Sequence, residues 1–302
     1  MHATPQDVPG VQVGHYTDEQ SQTGTTVILF DELALTAVEV RGSAPGSLNT
    51  AMLEPGMAAQ HVDAIVLTGG SSFGLRTADG VMDGLKERGR GIPFGGMTVP
   101  LVAGAVIFDL MRGEPVAPEA AAGRMALDAA APLSHLASGH VGVGTGAGVG
   151  TSNGPRTRRR GGFGVAQVRM AFGSVTAFVA LNALGTTFTE TVERGYPDPR
   201  IAFIEGLEQI RIPEGQNTTL IAIVTDIPCT HDMLIRCCVA AHDGLARVIV
   251  PAHTVADGDI AFASSTNEGP IDREHGMALT FASELATEAA LRNAANLTMP
   301  ER

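Results

Sequence analysis

The chain has 302 residues, 44% of them hydrophobic, with a mean hydropathy of +0.14. That length and composition suit one large folded core or two small ones and exclude a disordered chain. A net charge of −12 and a pI of about 5.1 argue against nucleic acid or an anionic membrane as the main partner.

In chain order, Thr25 to Phe30 and Ala37 to Val40 read as two strands joined by a turn at Asp31-Glu32. Arg41 to Gly46 is a Gly/Pro-rich loop. Asp63 to Thr68 is a strand that runs into Gly69-Gly70-Ser71-Ser72-Phe73-Gly74. Leu75 to Arg88 follows as a helix, with Leu75, Ala78, Val81, Met82 and Leu85 on one side. Val102 to Phe108 is a buried-strand candidate and Ala117 to Ala131 an Ala-rich helix. The glycine tract Val141 to Gly150 alternates valine with glycine, a pattern for backbones packed closely in a loop or at a strand edge. After the basic loop Asn153 to Arg160 come strands at Gly164 to Met170, Ser174 to Leu181 and Leu220 to Thr225. A helix (His231 to Arg247) and the apolar run Val248-Ile249-Val250 lead to Pro251, and Asp259 to Ser265 reads as a strand. At least seven strands with interspersed helices predict an α/β or α+β protein around a large sheet. No composition break divides the chain, so residues 1–302 are expected to form a single domain.

Lys86 is the only lysine, so any lysine chemistry rests on it. Cys229, Cys237 and Cys238 make a poor disulfide framework and lack zinc-site spacing, which points to a reducing, cytoplasmic setting. The segment MHATPQDVPG lacks the pattern of a signal peptide, and no run of 18 apolar residues suggests a membrane span. No cofactor or metal is expected. The pairs His231-Asp232 and His242-Asp243 share a helix face but stand about 16 Å apart along it, too far for one ion. Capping and surface hydration account for them better.

The Gly69 to Gly74 turn exposes backbone N–H groups at a helix start. It matches neither a dinucleotide fingerprint nor a P-loop. A tight packing turn is the plainer reading; donors for an oxyanion or a substrate carboxylate, from Gly70, Ser71 and Ser72, are the functional one. The run Arg156, Arg158, Arg159, Arg160 is the only basic cluster. It reads as a solvated loop or as an entrance that attracts acidic groups. Thr254 on its local sequence alone reads as a structural turn residue.

The whole chain changes that reading. Val13 to Asp18, Thr23 to Val27, Val40 to Gly46, Leu67 to Leu75 with Ala78-Asp79-Gly80-Val81, Gly144 to Gly148, Leu181 to Gly185, His242 to Arg247 and His253 to Asp259 together resemble the P1 family of self-processing aminopeptidases and amidases, peptidase family S58. The resemblance implies a four-layer αββα sandwich related to the N-terminal-nucleophile hydrolases. It implies a precursor that cuts its own His253–Thr254 bond, giving fragments 1–253 and 254–302. The hydroxyl and new α-amine of Thr254 would then be nucleophile and base on one residue. Asn182 matches the family asparagine that binds the oxyanion. Glu284, with Ser283 beside it, matches an acidic residue early in the last helix, with Glu288 as the alternative. Phe108 stands where relatives carry an oxyanion-binding tyrosine. Near Pro155 relatives carry a lysine, whose charge Arg156 would supply here. The expected substrate is a small peptide, amide or ester, and the expected assembly a homo-oligomer, tetrameric or larger. An acyltransferase using the same acyl-enzyme, or an impaired homologue that only binds a ligand, are the rival readings.

Overall fold

The structure, a computed structural model, describes residues 5–151, 158–187, 198–205 and 217–296. Ten strands form one continuous hydrogen-bonded path: β1 (Val11–Asp18), β2 (Thr23–Val40), β3 (Ser47–Leu48), β4 (His61–Thr68), β5 (Val102–Val106), β6 (Ala131–Pro132), β7 (Gly162–Met170), β8 (Gly173–Asn182), β9 (Thr218–Thr225) and β10 (Ile260–Ser265). Their order is β7-β8-β9-β10-β2-β4-β5-β3, with β1 on β2 and β6 on β1. Four main helices flank them: α1 (Thr77–Glu87), α2 (Ala120–Asp128), α3 (His231–Val248) and α4 (Arg273–Ala294).

Strand β2 explains how one path makes two layers. Its first half lies antiparallel between β1 and β4, while Leu35 to Val40 pairs with Ser265 to Ile260 of β10. The register shifts between Leu29 and Ala34, and such a bulge bends a strand. The expected turn at Asp31-Glu32 is therefore a bulge inside one 18-residue strand. Both residues are exposed there, which is why the polar pair resembled a turn.

Three apolar cores separate four layers. Side chains alternate across a strand, so Ile28 and Phe30 point one way and Val27 and Leu29 the other. Ile28, Phe30, Ile65 and Leu67 meet Phe163, Phe178, Leu220 and Phe262 in the central core. Val27, Leu29, Ala64 and Val66 pack against Val81 and Leu85 of α1 and Ala126 and Leu127 of α2. Val175, Val179, Ile221, Ile223, Ala261 and Ala263 pack against α3 and α4. Layers therefore run helix, sheet, sheet, helix, as the resemblance implied. Sheets covered on both faces need strands apolar throughout, which accounts for runs such as Thr218–Thr225, buried at every position. Each fully buried large side chain contributes about 1.5–3 kcal/mol. Close helix approach needs Gly164: a methyl there would overlap the Ala290 carbonyl of α4.

Smaller differences have local causes. The expected helix at Leu75 starts as a 3₁₀ segment, Ser71–Arg76, before α1. The Ala-rich helix stops at Asp128, because Ala131 and Pro132 pair with Val13 and Gln12 of β1. Strand β1, with Gly14, His15, Tyr16 and Thr17, showed no clear period-2 pattern, yet pairs with β2 along its whole length. The glycine tract packs as close backbone: Cβ atoms at Gly142, Gly144 and Gly146 would overlap His15, Phe163 and Asp109 respectively. Among the described residues no helix is long and apolar enough to cross a membrane.

Candidate active site

Helix α3 runs into Ile249–Val250, which pairs with Thr186–Thr187, and the loop Pro251 to Asp259 then delivers the chain to β10. His253 takes a left-handed backbone conformation, φ 55°, which costs a non-glycine residue about 1 kcal/mol. One side chain holds it there: Asp259 Oδ2 accepts the His253 N–H at 3.0 Å and contacts its Nδ1 at 2.9 Å. The imidazole also meets the His242 ring edge-on, 4.8 Å between centroids.

Thr254 follows, partly buried. Its Oγ1 donates to Asp257 Oδ2 at 2.5 Å, and its backbone N–H donates to the same oxygen at 3.1 Å. Asp257 Oδ1 accepts the Leu184 N–H at 3.2 Å, and Asp259 Oδ1 accepts the Thr219 N–H at 2.7 Å. Both carboxylates are buried. The Arg41 to Gly46 loop clamps the same segment: the N–H groups of Arg41 and Gly42 donate to the Asp259 carbonyl and Ala44 N–H to that of Asp257. Gly42 is required there, since a Cβ would overlap Asp259 N and Asp257 O.

These contacts set the electrostatics. Burial and the neighbouring charge of Asp259 raise the Asp257 carboxyl, outweighing the hydrogen bonds from Thr254 and Leu184. Burial lowers the His253 imidazole, but the hydrogen bond and charge of Asp259 outweigh it and leave it raised. His242 is buried too, and desolvation pulls it down to about 4. The expectation of a hydrated surface for His242 is thus corrected: Ala37 to Val40 of β2 lies beneath α3, and His242 Nε2 contacts the Glu39 carbonyl at 3.0 Å. Burial pushes the thiols of Cys229 and Cys237 up to about 11 and about 12, so neither is a thiolate near neutral pH.

Asn182 ends β8 and is fully buried. Its Oδ1 accepts from Gly148 N–H at 3.1 Å and from Arg158 Nη2 at 2.8 Å, while its Nδ2 donates to the Phe108 carbonyl at 3.3 Å. Two residues on, Leu184 holds Asp257, and Gly185 packs on the Pro251 carbonyl. The Asn182 to Gly185 turn therefore joins Thr254, Asn182, Phe108 and the glycine tract into one site.

Other expectations are revised. The Gly70 N–H, expected to face a substrate, donates to Asp109 Oδ1 at 2.7 Å, and the Ser71 N–H donates to the Ile107 carbonyl at 2.9 Å. This turn is a packing device around Asp109, whose Oδ2 also accepts from Thr23 Oγ1 at 2.7 Å. Ser72 is exposed at the start of the 3₁₀ segment. Burial raises Asp109 to about 6 against the hydrogen bonds from Gly70 and Thr23. Ser283 and Glu284 lie on α4 with other partners: Ser283 Oγ donates to the Leu279 carbonyl at 2.9 Å, and Glu284 pairs with Arg247, as Glu288 does at 3.7 Å. The acid at the Thr254 hydroxyl is Asp257. It sits three residues after Thr254, within the His253 to Asp259 motif, a spacing that is itself a sequence signal. Arg156 and Pro155 lie outside the described residues. Among the described residues no group of three or more His, Cys, Asp or Glu side chains could hold a metal.

The model of peptidase family S58 matches residues 5–299. An uncharacterised aminopeptidase of Mycobacterium leprae is 37% identical over 287 residues, covering 86% of this chain and 77% of its own. The 6-aminohexanoate-oligomer endohydrolase of Paenarthrobacter ureafaciens is 36% identical, covering 87% and 74%. Among solved structures, a β-aminopeptidase of Burkholderia sp. superposes with a TM-score of 0.73 at 22% identity, over 97% of this chain and 88% of that one. The L-aminopeptidase D-Ala-esterase/amidase of Ochrobactrum anthropi, described as a variant of the Ntn-hydrolase fold, gives 0.73 at 19% identity, over 97% and 87%. With a family match across nearly its full length, the chain belongs to peptidase family S58 and is a hydrolase acting on amide bonds.

Proposed function

We propose that this hydrolase first cuts its own His253–Thr254 bond and then uses Thr254 as an N-terminal nucleophile. The observation that carries this reading is the single oxygen, Asp257 Oδ2, hydrogen-bonded to both Oγ1 and N of Thr254. Self-cleavage requires a proton to leave the hydroxyl and one to arrive at the amide nitrogen. Asp257 takes the proton from Oγ1 as Oγ1 attacks the His253 carbonyl carbon. It returns that proton to the nitrogen as the C–N bond breaks. The product is an ester between His253 and Thr254 Oγ1. Water hydrolyses it, releasing the His253 carboxylate, the Thr254 hydroxyl and a free α-amine.

That amine has a reference pKa of about 7.7–8.0, so near neutral pH it accepts the hydroxyl proton without a histidine. Thr254 Oγ1 attacks the amide carbonyl of a substrate, the leaving amine collects a proton, and water deacylates the threonine ester. The substrates are short peptides, amides or esters losing an N-terminal residue, or amide oligomers, in keeping with the activities named for the relatives. The fragments 1–253 and 254–302 remain joined, because β10 of the smaller one is hydrogen-bonded between β9 and β2 and α4 packs across β7 and β8.

Mass spectrometry of the purified protein tests this reading. Wild type is expected as two fragments split at 253/254, and Thr254→Ala as one intact chain. Intact wild type that still hydrolysed amides would remove Thr254 from the mechanism. The hairpin Ile92–Phe94 and Met97–Val99 exposes Ile92, Phe94, Met97 and Val99. An apolar face of this kind supports a homo-oligomer, tetrameric or larger; light scattering is expected to return a multiple of the 31.2 kDa chain.

A further inference from the structure

In a chain of net charge −12, one spot beside Asn182 is strongly basic. A methyl group at Gly148 would overlap both Arg112 Nη2 and Arg158 Nε, so two guanidinium groups converge on one point. Arg158 Nη2 is held by Asn182 Oδ1 at 2.8 Å. Its Nε, and both Nε and Nη2 of Arg112, are buried without a hydrogen-bond partner. Nε and Nη2 of one arginine form the side-on fork that grips a carboxylate with two parallel bonds.

No carboxylate among the described residues fills that fork. Asp109 is the nearest acid by charge: it favours the Arg112 cation, but its oxygens are taken by Gly70 and Thr23. Neither Arg112 nor Arg158 appears in an ion pair with the described acids. Arg160 adds a third like charge, opposing that of Arg112. Desolvated cations that repel one another and present an empty fork are complementary to an anion.

We infer that Arg112 and Arg158 form a subsite for the free terminal carboxylate of a short peptide or amino-acid oligomer bound at Thr254. The inference rests on the hydrolase reading above, which places the reacting carbonyl at Thr254. Arg158 is bonded to Asn182, and Leu184 two residues along holds Asp257 beneath the nucleophile. The subsite requires that the terminal carboxylate of the substrate reach the fork while its reacting carbonyl lies at Thr254. The subsite makes the enzyme selective for short chains that end in a free acid.

The test is the ratio of kcat/KM for alanyl-alanine to that for alanyl-alaninamide. Wild type is expected to favour the free acid by about tenfold or more, as a charge-assisted fork implies. Arg112→Gln is expected to bring the ratio close to one, and Arg112→Lys, which keeps charge without the fork, to lie between. A wild-type ratio at or below one, or a ratio unchanged in Arg112→Gln, overturns the subsite. A second arm needs no turnover: the Tm of intact Thr254→Ala protein in propionate against chloride at equal ionic strength. Propionate is expected to raise Tm, and the rise to vanish when Arg112→Gln is added; no rise overturns the subsite. Absence of all hydrolysis with this rise intact would instead count against Thr254 as the reacting centre. A Tm rise with sulfate but not propionate, with a substrate ratio of one, would assign the fork to inorganic anions and overturn it. Arg158→Gln repeats both arms should Arg112→Gln fail to fold.

Discussion

Thr254 Oγ1 lies 2.5 Å from Asp257 Oδ2, and that oxygen also receives the Thr254 backbone N–H at 3.1 Å. An acceptor shared by the attacking and leaving atoms suits a proton shuttle. Asp257→Asn is expected to slow self-cleavage by about 10²–10⁴-fold, the usual worth of general acid–base catalysis. A time course of fragment appearance by mass spectrometry measures it; cleavage at the wild-type rate would free Asp257 of the role. Because burial and the Asp259 charge raise the Asp257 carboxyl, it protonates on moderate acidification. Self-cleavage is therefore expected to fall as pH drops through that raised value, before the ordinary carboxylate range is reached.

His253 stands directly before the proposed scissile bond, at φ 55°. Glycine adopts this conformation without penalty, whereas alanine retains it and lacks the imidazole. Comparing His253→Gly with His253→Ala thus separates backbone strain from side-chain chemistry. If strain of about 1 kcal/mol is released on the way to the transition state, the glycine variant cleaves about fivefold more slowly than the alanine variant. Equal rates would assign the conformation to packing alone.

Asp109 links the Gly70 turn to Thr23 and is raised to about 6 by burial. In an unfolded chain an aspartate titrates near 3.9. Between those values the native state binds the extra proton, so this residue makes the protein more stable as pH falls from about 6 to about 4. The gain is about 3 kcal/mol. Buried His15 and His242, both lowered to about 4, act in the opposite sense as pH falls below about 6.5. Asparagine at 109 preserves an acceptor for Gly70 and offers a donor to Thr23. The stability difference between wild type and Asp109→Asn, read from urea unfolding at pH 7 and pH 4.5, is therefore expected to shift in favour of wild type at the lower pH. A difference independent of pH would show that Asp109 is not raised.

Asn182 has two separable tasks. Its Oδ1 anchors Gly148 and Arg158, while its amide donor is the oxyanion group implied by the family resemblance. Asn182→Asp keeps the acceptor and removes the donor; Asn182→Ala removes both. Loss of an oxyanion donor costs about 10²–10³ in kcat, so both processed variants are expected to lose that much. Both are expected also to lower Tm, because either change leaves the Phe108 carbonyl without the Asn182 donor. Retention of kcat in Asn182→Asp would exclude the donor role.

Much of the fold was readable because buried sheets leave a plain trace. Runs such as Val27 to Phe30 and Leu220 to Val224 are apolar at every position, the pattern of strands covered on both faces. The unity of β2 was not readable. Asp31 and Glu32 look like a turn until β10 is seen pairing with Leu35 to Val40. In the site, Thr254, His253 and Asn182 were picked out by motif. The family resemblance puts Ser283 and Glu284 near Thr254, but α4 turns them toward its own Leu279 carbonyl and Arg247 of α3. The face a helix shows to a neighbour depends on how both pack, and no local spacing encodes it. Asp109 and Arg112 carry no local signal, because an acid and a base in a loop look solvated until burial is known.

The sequence by itself determined the family, the threonine hydroxyl before β10 and the apolar strands that must be covered. Tertiary structure alone decided which acid is hydrogen-bonded to that hydroxyl, that the Gly70 amide is spent on Asp109, and that Arg112 and Arg158 converge over Gly148. The reason is physical. A hydrogen-bond partner is chosen by sheet register and loop closure across scores of residues, whereas a side chain's chemistry is carried by the residue itself.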